Sequence, residues 1–88
     1  MQKKPLDKIR IKLHEKPDLI IGKNGLSDSV IKETRLLLKK KKIIKVKVLK
    51  NIAETKKDAS KIIEELSEKT NAKIGKIIGK TAILYVEE

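Results

Sequence analysis

The apolar positions fall into short blocks with different periods. Leu19-Ile20-Ile21 is a brief apolar run that stops at Gly22, and residues 18–21 read as a buried strand. Val30, Ile31, Thr34, Leu37 and Leu38 recur at helical spacing, with Lys32, Glu33, Arg35, Lys39 and Lys40 between or beyond them. That pattern predicts an amphipathic helix over about 28–41, with Ser27 as N-cap and Asp28 in its first turn. Ile44, Val46 and Val48 alternate with Lys45 and Lys47, which predicts a strand over 43–49 with one wet face. Ala59, Ile62, Ile63 and Leu66 share one side of a second helix over about 55–70, and Asn71 suits a left-handed stop. Two strands follow, at about 73–78 and 81–86. Gly79-Lys80 between them suits a type II′ hairpin turn.

Residues 6–14 fit two readings. Leu6, Ile9 and Leu13 share a helical face, while Ile9, Ile11 and Leu13 fit a strand alternation equally well, and Pro17 ends either element. The order is therefore helix or strand, then β-α-β-α-β-β. It predicts one α/β two-layer (α+β) domain over residues 1–88, with helices packed mainly on one face of a four-stranded mixed sheet.

Composition narrows the chemistry. The chain has 88 residues, no Cys, Phe or Trp, one Tyr, and a formal net charge of +11. Without cysteine there is no disulfide framework and no thiolate zinc site. No run approaches the roughly 20 apolar residues of a membrane-spanning helix. The N-terminus leads into charged residues, unlike a signal peptide, so a cytoplasmic protein is expected. Residues 1–50 hold 16 basic and 5 acidic side chains, whereas residues 51–88 hold 7 of each, so the whole excess lies in the first part. A Lys- and Ile-rich chain also arises in hyperthermophiles, but networks that pair both signs do not leave a balance of +11. The asymmetry points to a polyanionic partner, nucleic acid first.

The candidate chemistry concentrates where the first strand meets the first long helix. Gly22-Lys23-Asn24-Gly25 lets the backbone turn sharply without a Cβ in a ligand's path, the helix start offers free N–H groups, and Lys23 adds a mobile charge. Two glycines three apart are common in ordinary turns; the surrounding charge and the helix start are what favour a sugar-phosphate contact. The remaining candidates are Lys8, Arg10 and Lys12 in the first segment, and Arg35, Lys39 and Lys40 on the helix. Arg35 suits either a phosphate or a surface carboxylate, and Lys39 to Lys42 suit either a phosphate patch or a solvated helix end. With one His and no Cys, no metal site, cofactor or catalytic pair is expected. The near absence of aromatics argues for gripping a backbone over stacking on bases.

Ile20-Ile21-Gly22-Lys23-Asn24-Gly25-Leu26-Ser27 resembles the GxxG segment of the CRM domain family, whose single-domain members include the bacterial YhbY proteins. Ile44-Lys45-Val46-Lys47-Val48 resembles the family's second strand, and Ile78-Gly79-Lys80-Thr81-Ala82-Ile83-Leu84-Tyr85 its closing hairpin. The three segments keep the family's order and spacing across about residues 17–85. The resemblance implies a non-catalytic RNA-binding domain folded like the C-terminal domain of bacterial translation initiation factor three. It implies association with ribosomal precursors in single-domain members and with intron RNA in plant organelle members, with the Gly22–Gly25 loop and nearby basic side chains facing RNA. A monomer that meets ribosomal or precursor RNA, or ribosomal particles, is expected. The resemblance also favours a helix for residues 6–14. Where bacterial relatives often carry an Arg after the final Tyr, this chain has Val86, Glu87 and Glu88, so no contact is carried over there. A KH domain is the nearest competitor, but its GxxG joins two helices, and residues 17–21 are too short and apolar for one. Two further classes compete with these: a general polyanion- or DNA-binding protein, and an interaction domain whose lysines serve only solubility.

Overall fold

The computed structural model describes residues 6–22, 25–49 and 56–86. The elements are α1 (Leu6–Leu13), β1 (Leu19–Ile21), α2 (Asp28–Lys41), β2 (Ile43–Val48), α3 (Lys56–Thr70), β3 (Lys73–Ile78) and β4 (Thr81–Tyr85). The ambiguous first segment is a helix. Its strand alternation fails because Ile11 is 64% exposed, while Ile9 is buried.

The four strands form one mixed sheet in the order β1-β2-β4-β3, with β1 parallel to β2 and β4 antiparallel to both neighbours. The last strand therefore inserts at the centre. Both crossovers, through α2 and through α3, step the same way across the sheet, so a common hand puts both helices on one face. The core agrees: Leu38 of α2 and Ala59, Ile63 and Leu66 of α3 pack with Ile21, Ile44, Val46, Val48, Ala82 and Leu84. The short α1 lies on the opposite face, against β2, β3 and β4. The two long helices thus share a face as expected, and the third covers part of the other. Central β4 is consequently buried on both sides, from Ala82 through Tyr85.

Local chemistry explains the element ends. Ser27 Oγ accepts from the Val30 N–H at 3.3 Å and caps α2. Asn71 stands at φ 57, with the Ala72 N–H reaching the Ser67 carbonyl at 3.0 Å and the Asn71 N–H reaching that of Glu68 at 3.4 Å. These two bonds form a Schellman end to α3. Lys42 ends α2 at φ 68, a left-handed conformation that a lysine adopts only at a cost. Gly79 stands at φ 59 and Lys80 is not left-handed, as a II′ turn requires.

Gly75 is an extra residue in β3, between Ile74 paired with Leu84 and Lys76 paired with Ile83. The bulge lets Ile74 and Ile77, three apart, both reach the core beneath α2 and α3. It also seats α1: a Cβ on Gly75 would lie 2.6 Å from Ile9 Cδ1 and 3.4 Å from the Tyr85 ring.

Candidate nucleic-acid interface

The glycine segment lies at the carboxyl ends of parallel β1 and β2, the usual position for ligands on such sheets. The Gly25 N–H donates to the Gly22 carbonyl at 2.9 Å, closing a tight turn, and Gly25 has φ 59. A Cβ on Gly25 would meet nothing within 4 Å, so the space beside that residue is open. Lys23 and Asn24 lie outside the described residues. The Leu49 N–H binds the Ile21 carbonyl at 2.9 Å, and the Val48 N–H binds the Lys80 carbonyl at 2.8 Å. The hairpin turn at Gly79-Lys80 therefore joins the glycine turn at the same end of the sheet.

Strand register sorts the lysines. Lys45 pairs with Ile83 and Lys47 with Thr81, while Lys76 also pairs with Ile83 and Lys73 with Tyr85. All four strand lysines thus project from the α1 side of the sheet. Among the described residues, none of the four strands contains an acidic side chain. Glu64, Glu65 and Glu68 are exposed on α3, on the opposite side, while Asp7 and Glu15 are exposed on the α1 side. Lys73, Lys76 and Lys80 come from the charge-neutral second part of the chain, so the basic face of the sheet draws on both halves.

The individual candidates separate accordingly. Lys8 and Arg10 are exposed on α1, on the basic face. Lys12 is not: it is 8% exposed, and its Nζ lies 2.8 Å from Asp18 Oδ2. Its inward position on α1 turns a candidate contact into an internal ion pair. Asp18 also receives Lys41 Nζ at 2.8 Å and the Lys45 N–H at 2.9 Å. Burial pushes the Asp18 carboxyl upward, but bonds from Lys12, Lys41 and the Lys45 backbone outweigh it and hold the group below the ordinary carboxylate value. Lys45 turns its ammonium to the Leu13 and Glu15 carbonyls, both at 2.8 Å, and so caps the C-terminal end of α1.

Arg35 donates from Nη2 to the Lys69 carbonyl at 2.7 Å, tying α2 to the end of α3. That uses one of its five N–H donors. Lys39 and Lys40 are exposed but sit at the far end of the 14-residue α2, about 20 Å of helix from the glycine turn. They form a second basic cluster with Lys42. Tyr85 is 6% exposed and packs in the interior, where its ring has no access to a base. The alternation at 43–49 points Lys47 to a wet face, but only register brings Lys76 to the same side, while Lys80 stands in the hairpin turn at that end of the sheet. Among the described residues, no three His, Cys, Asp or Glu side chains form a group suited to a metal.

A glycine turn at the end of a mixed sheet whose strand lysines share one face defines a small α/β domain. Residues 1–85 match the CRS1 / YhbY (CRM) domain, and the chain belongs to that family. It is 35% identical over 74 residues to the Bacillus subtilis protein named "Probable RNA-binding protein YqeI", covering 84% of this chain and 74% of that one. It is also 35% identical over 72 residues to the Pseudomonas aeruginosa protein named "Probable RNA-binding protein PA4753", covering 82% of this chain and 66% of that protein. The solution structure of SAV1595 from Staphylococcus aureus, described as "a putative RNA binding protein", superposes with a TM-score of 0.73 at 30% identity. That similarity covers 93% of this chain and 83% of SAV1595.

Proposed function

We propose that this protein is a non-catalytic, monomeric binder of structured RNA, serving ribosome assembly or RNA maturation in the cytoplasm. The glycine turn and the basic outer face of the sheet grip the sugar-phosphate backbone. The observation that carries this reading is the one-sided sheet: four strand lysines on one face and, among the described residues, no acid in any strand. Lys8 and Arg10 of α1 extend that face, and Lys23 and Asn24 stand in the sequence between Gly22 and Gly25. The names of the relatives support RNA as the polyanion. Lys39 and Lys40 lie too far along α2 to share a phosphate with the turn, and join in only on an RNA that spans the domain.

Titrating structured RNA at several salt concentrations tests the reading. Engagement of about five phosphates gives a log–log slope of about −3.5 to −4.5. A slope near zero sinks the electrostatic mechanism. Equal affinity for duplex DNA of the same sequence favours a general polyanion binder instead.

A further inference from the structure

One row of side chains crosses the sheet on the α1 side without being covered by α1. Register fixes it: Ile20 pairs with Lys47, Lys47 with Thr81, and Thr81 with Ile78. Ile20 is 53% exposed and Ile78 50% exposed, and Leu6 and Ile11 are exposed on α1, so this side presents aliphatic as well as basic surface. Ile20 stands two residues before Gly22, and Ile78 stands next to the hairpin turn, so the row borders the polyanion-facing end of the sheet. At the Ile78 end the surface is concave. A shallow cavity of about 330 Å³ is lined by Leu13, His14, Lys45, Ile78 and Thr81. The Lys45 ammonium is engaged on two carbonyls at the end of α1, which fixes the cavity's wall. His14 is exposed at the rim.

We infer that this cavity takes one unpaired nucleobase of the RNA whose backbone the basic face holds; the inference rests on the RNA-binding reading above. The chemistry is what a base requires. Leu13 and Ile78 offer apolar surface to a π-face, and His14 offers a ring to stack against. Thr81 offers a hydroxyl to a base edge or a 2′-OH. The surrounding positive charge disfavours a cationic occupant. Lys47 has no acidic partner among the described residues and neighbours Thr81, so a phosphate flanking the base meets an ammonium there. Backbone contacts alone leave the two exposed isoleucines without a role; a base laid into the cavity gives Ile78 one directly and Ile20 one along the same row. The protein then prefers a duplex carrying an unpaired nucleotide over an uninterrupted one, although it lacks the aromatic platforms such preference commonly uses.

The test compares a blunt RNA duplex with the same duplex bearing a single-nucleotide bulge, using the full chain and Ile-methyl-labelled protein. The bulged RNA binds about five- to tenfold more tightly at equal salt. On its addition the Ile78 methyl resonances move upfield by ring currents, while those of buried Ile44 and Ile63 stay in place. Ile78→Ser and His14→Ala, both at exposed positions, abolish the preference while keeping the blunt-duplex affinity and its salt slope. Equal binding of the two RNAs by the unaltered protein overturns the inference while leaving the RNA-binding reading intact. Ile78→Ser protein that keeps the preference overturns it as well, because the unpaired base is then held elsewhere. Absence of binding to either RNA overturns both readings together.

Discussion

Asp18 ties four segments into one ionic knot, joining Lys12 of α1, Lys41 of α2 and the Lys45 N–H of β2 from its place just before β1. Its side chain is 8% exposed, so removal of the carboxylate strands the Lys12 ammonium in the interior. Asp18→Ala is expected to cost about 2–3 kcal/mol in denaturant unfolding. The folded-state pKa is depressed, so the stabilisation is complete above the ordinary carboxylate value and disappears as pH falls through the lowered one. Unfolding free energy measured against pH is expected to drop below about pH 4, and Asp18→Asn to flatten that part of the curve. Lys12 and Lys8 separate stability from binding. Lys12→Ala lowers the melting temperature and leaves the folded protein's RNA affinity intact, whereas Lys8→Ala does the reverse; a weakened affinity in folded Lys12→Ala protein contradicts the assignment. Nothing local in the sequence reveals this division. Lys8 and Lys12 are four apart on one helix, and the partner that distinguishes them comes from a different element.

At the scale of elements, caps and periodicity made α2, α3 and the closing hairpin legible, because each rests on contacts between near neighbours in the chain. The first segment resisted because eight residues carry too few apolar positions to separate a period of 3.6 from one of 2. Docking decided it: Ile9 fits the groove that Gly75 leaves open. Gly75→Ala drives a Cβ into Ile9 and is expected to cost about 1–2 kcal/mol, with Ile9→Val recovering part of it in a double-mutant cycle. Strict additivity in that cycle refutes the fit. The lysine at φ 68 after α2 gives the opposite sign. Lys42→Gly relieves the left-handed strain and, after the extra entropy of the unfolded glycine chain, is expected to raise stability by about 0.5 kcal/mol in chemical unfolding.

Across the whole molecule both faces carry basic side chains, but the strand lysines all stand on one. Along the chain the excess of +11 belongs to residues 1–50, yet β3 brings Lys73 and Lys76 to the side that holds Lys45 and Lys47, with Lys80 in the turn beside them. Each of Lys47→Glu and Lys80→Glu is expected to weaken structured RNA binding across sequences and to lower the salt slope by about 1. Lys61→Glu, on exposed α3, is expected to do neither. Equal losses from all three indicate a diffuse electrostatic cloud, not an oriented face. The edges of the sheet are blunted against edge-to-edge pairing: β1 has three residues, and β3 carries a bulge and two lysines.

Sequence alone determined the elements from β1 onward, the family and the net charge, because periodicity, capping, short motifs and charge are properties of short stretches or of simple sums. Tertiary structure alone decided which cations are free. Packing between segments distant in the chain buries Lys12 on Asp18 and spends Lys45 on the end of α1. Strand pairing aligns Ile20, Lys47, Thr81 and Ile78 in one row, since a strand's register fixes which side of the sheet each residue occupies.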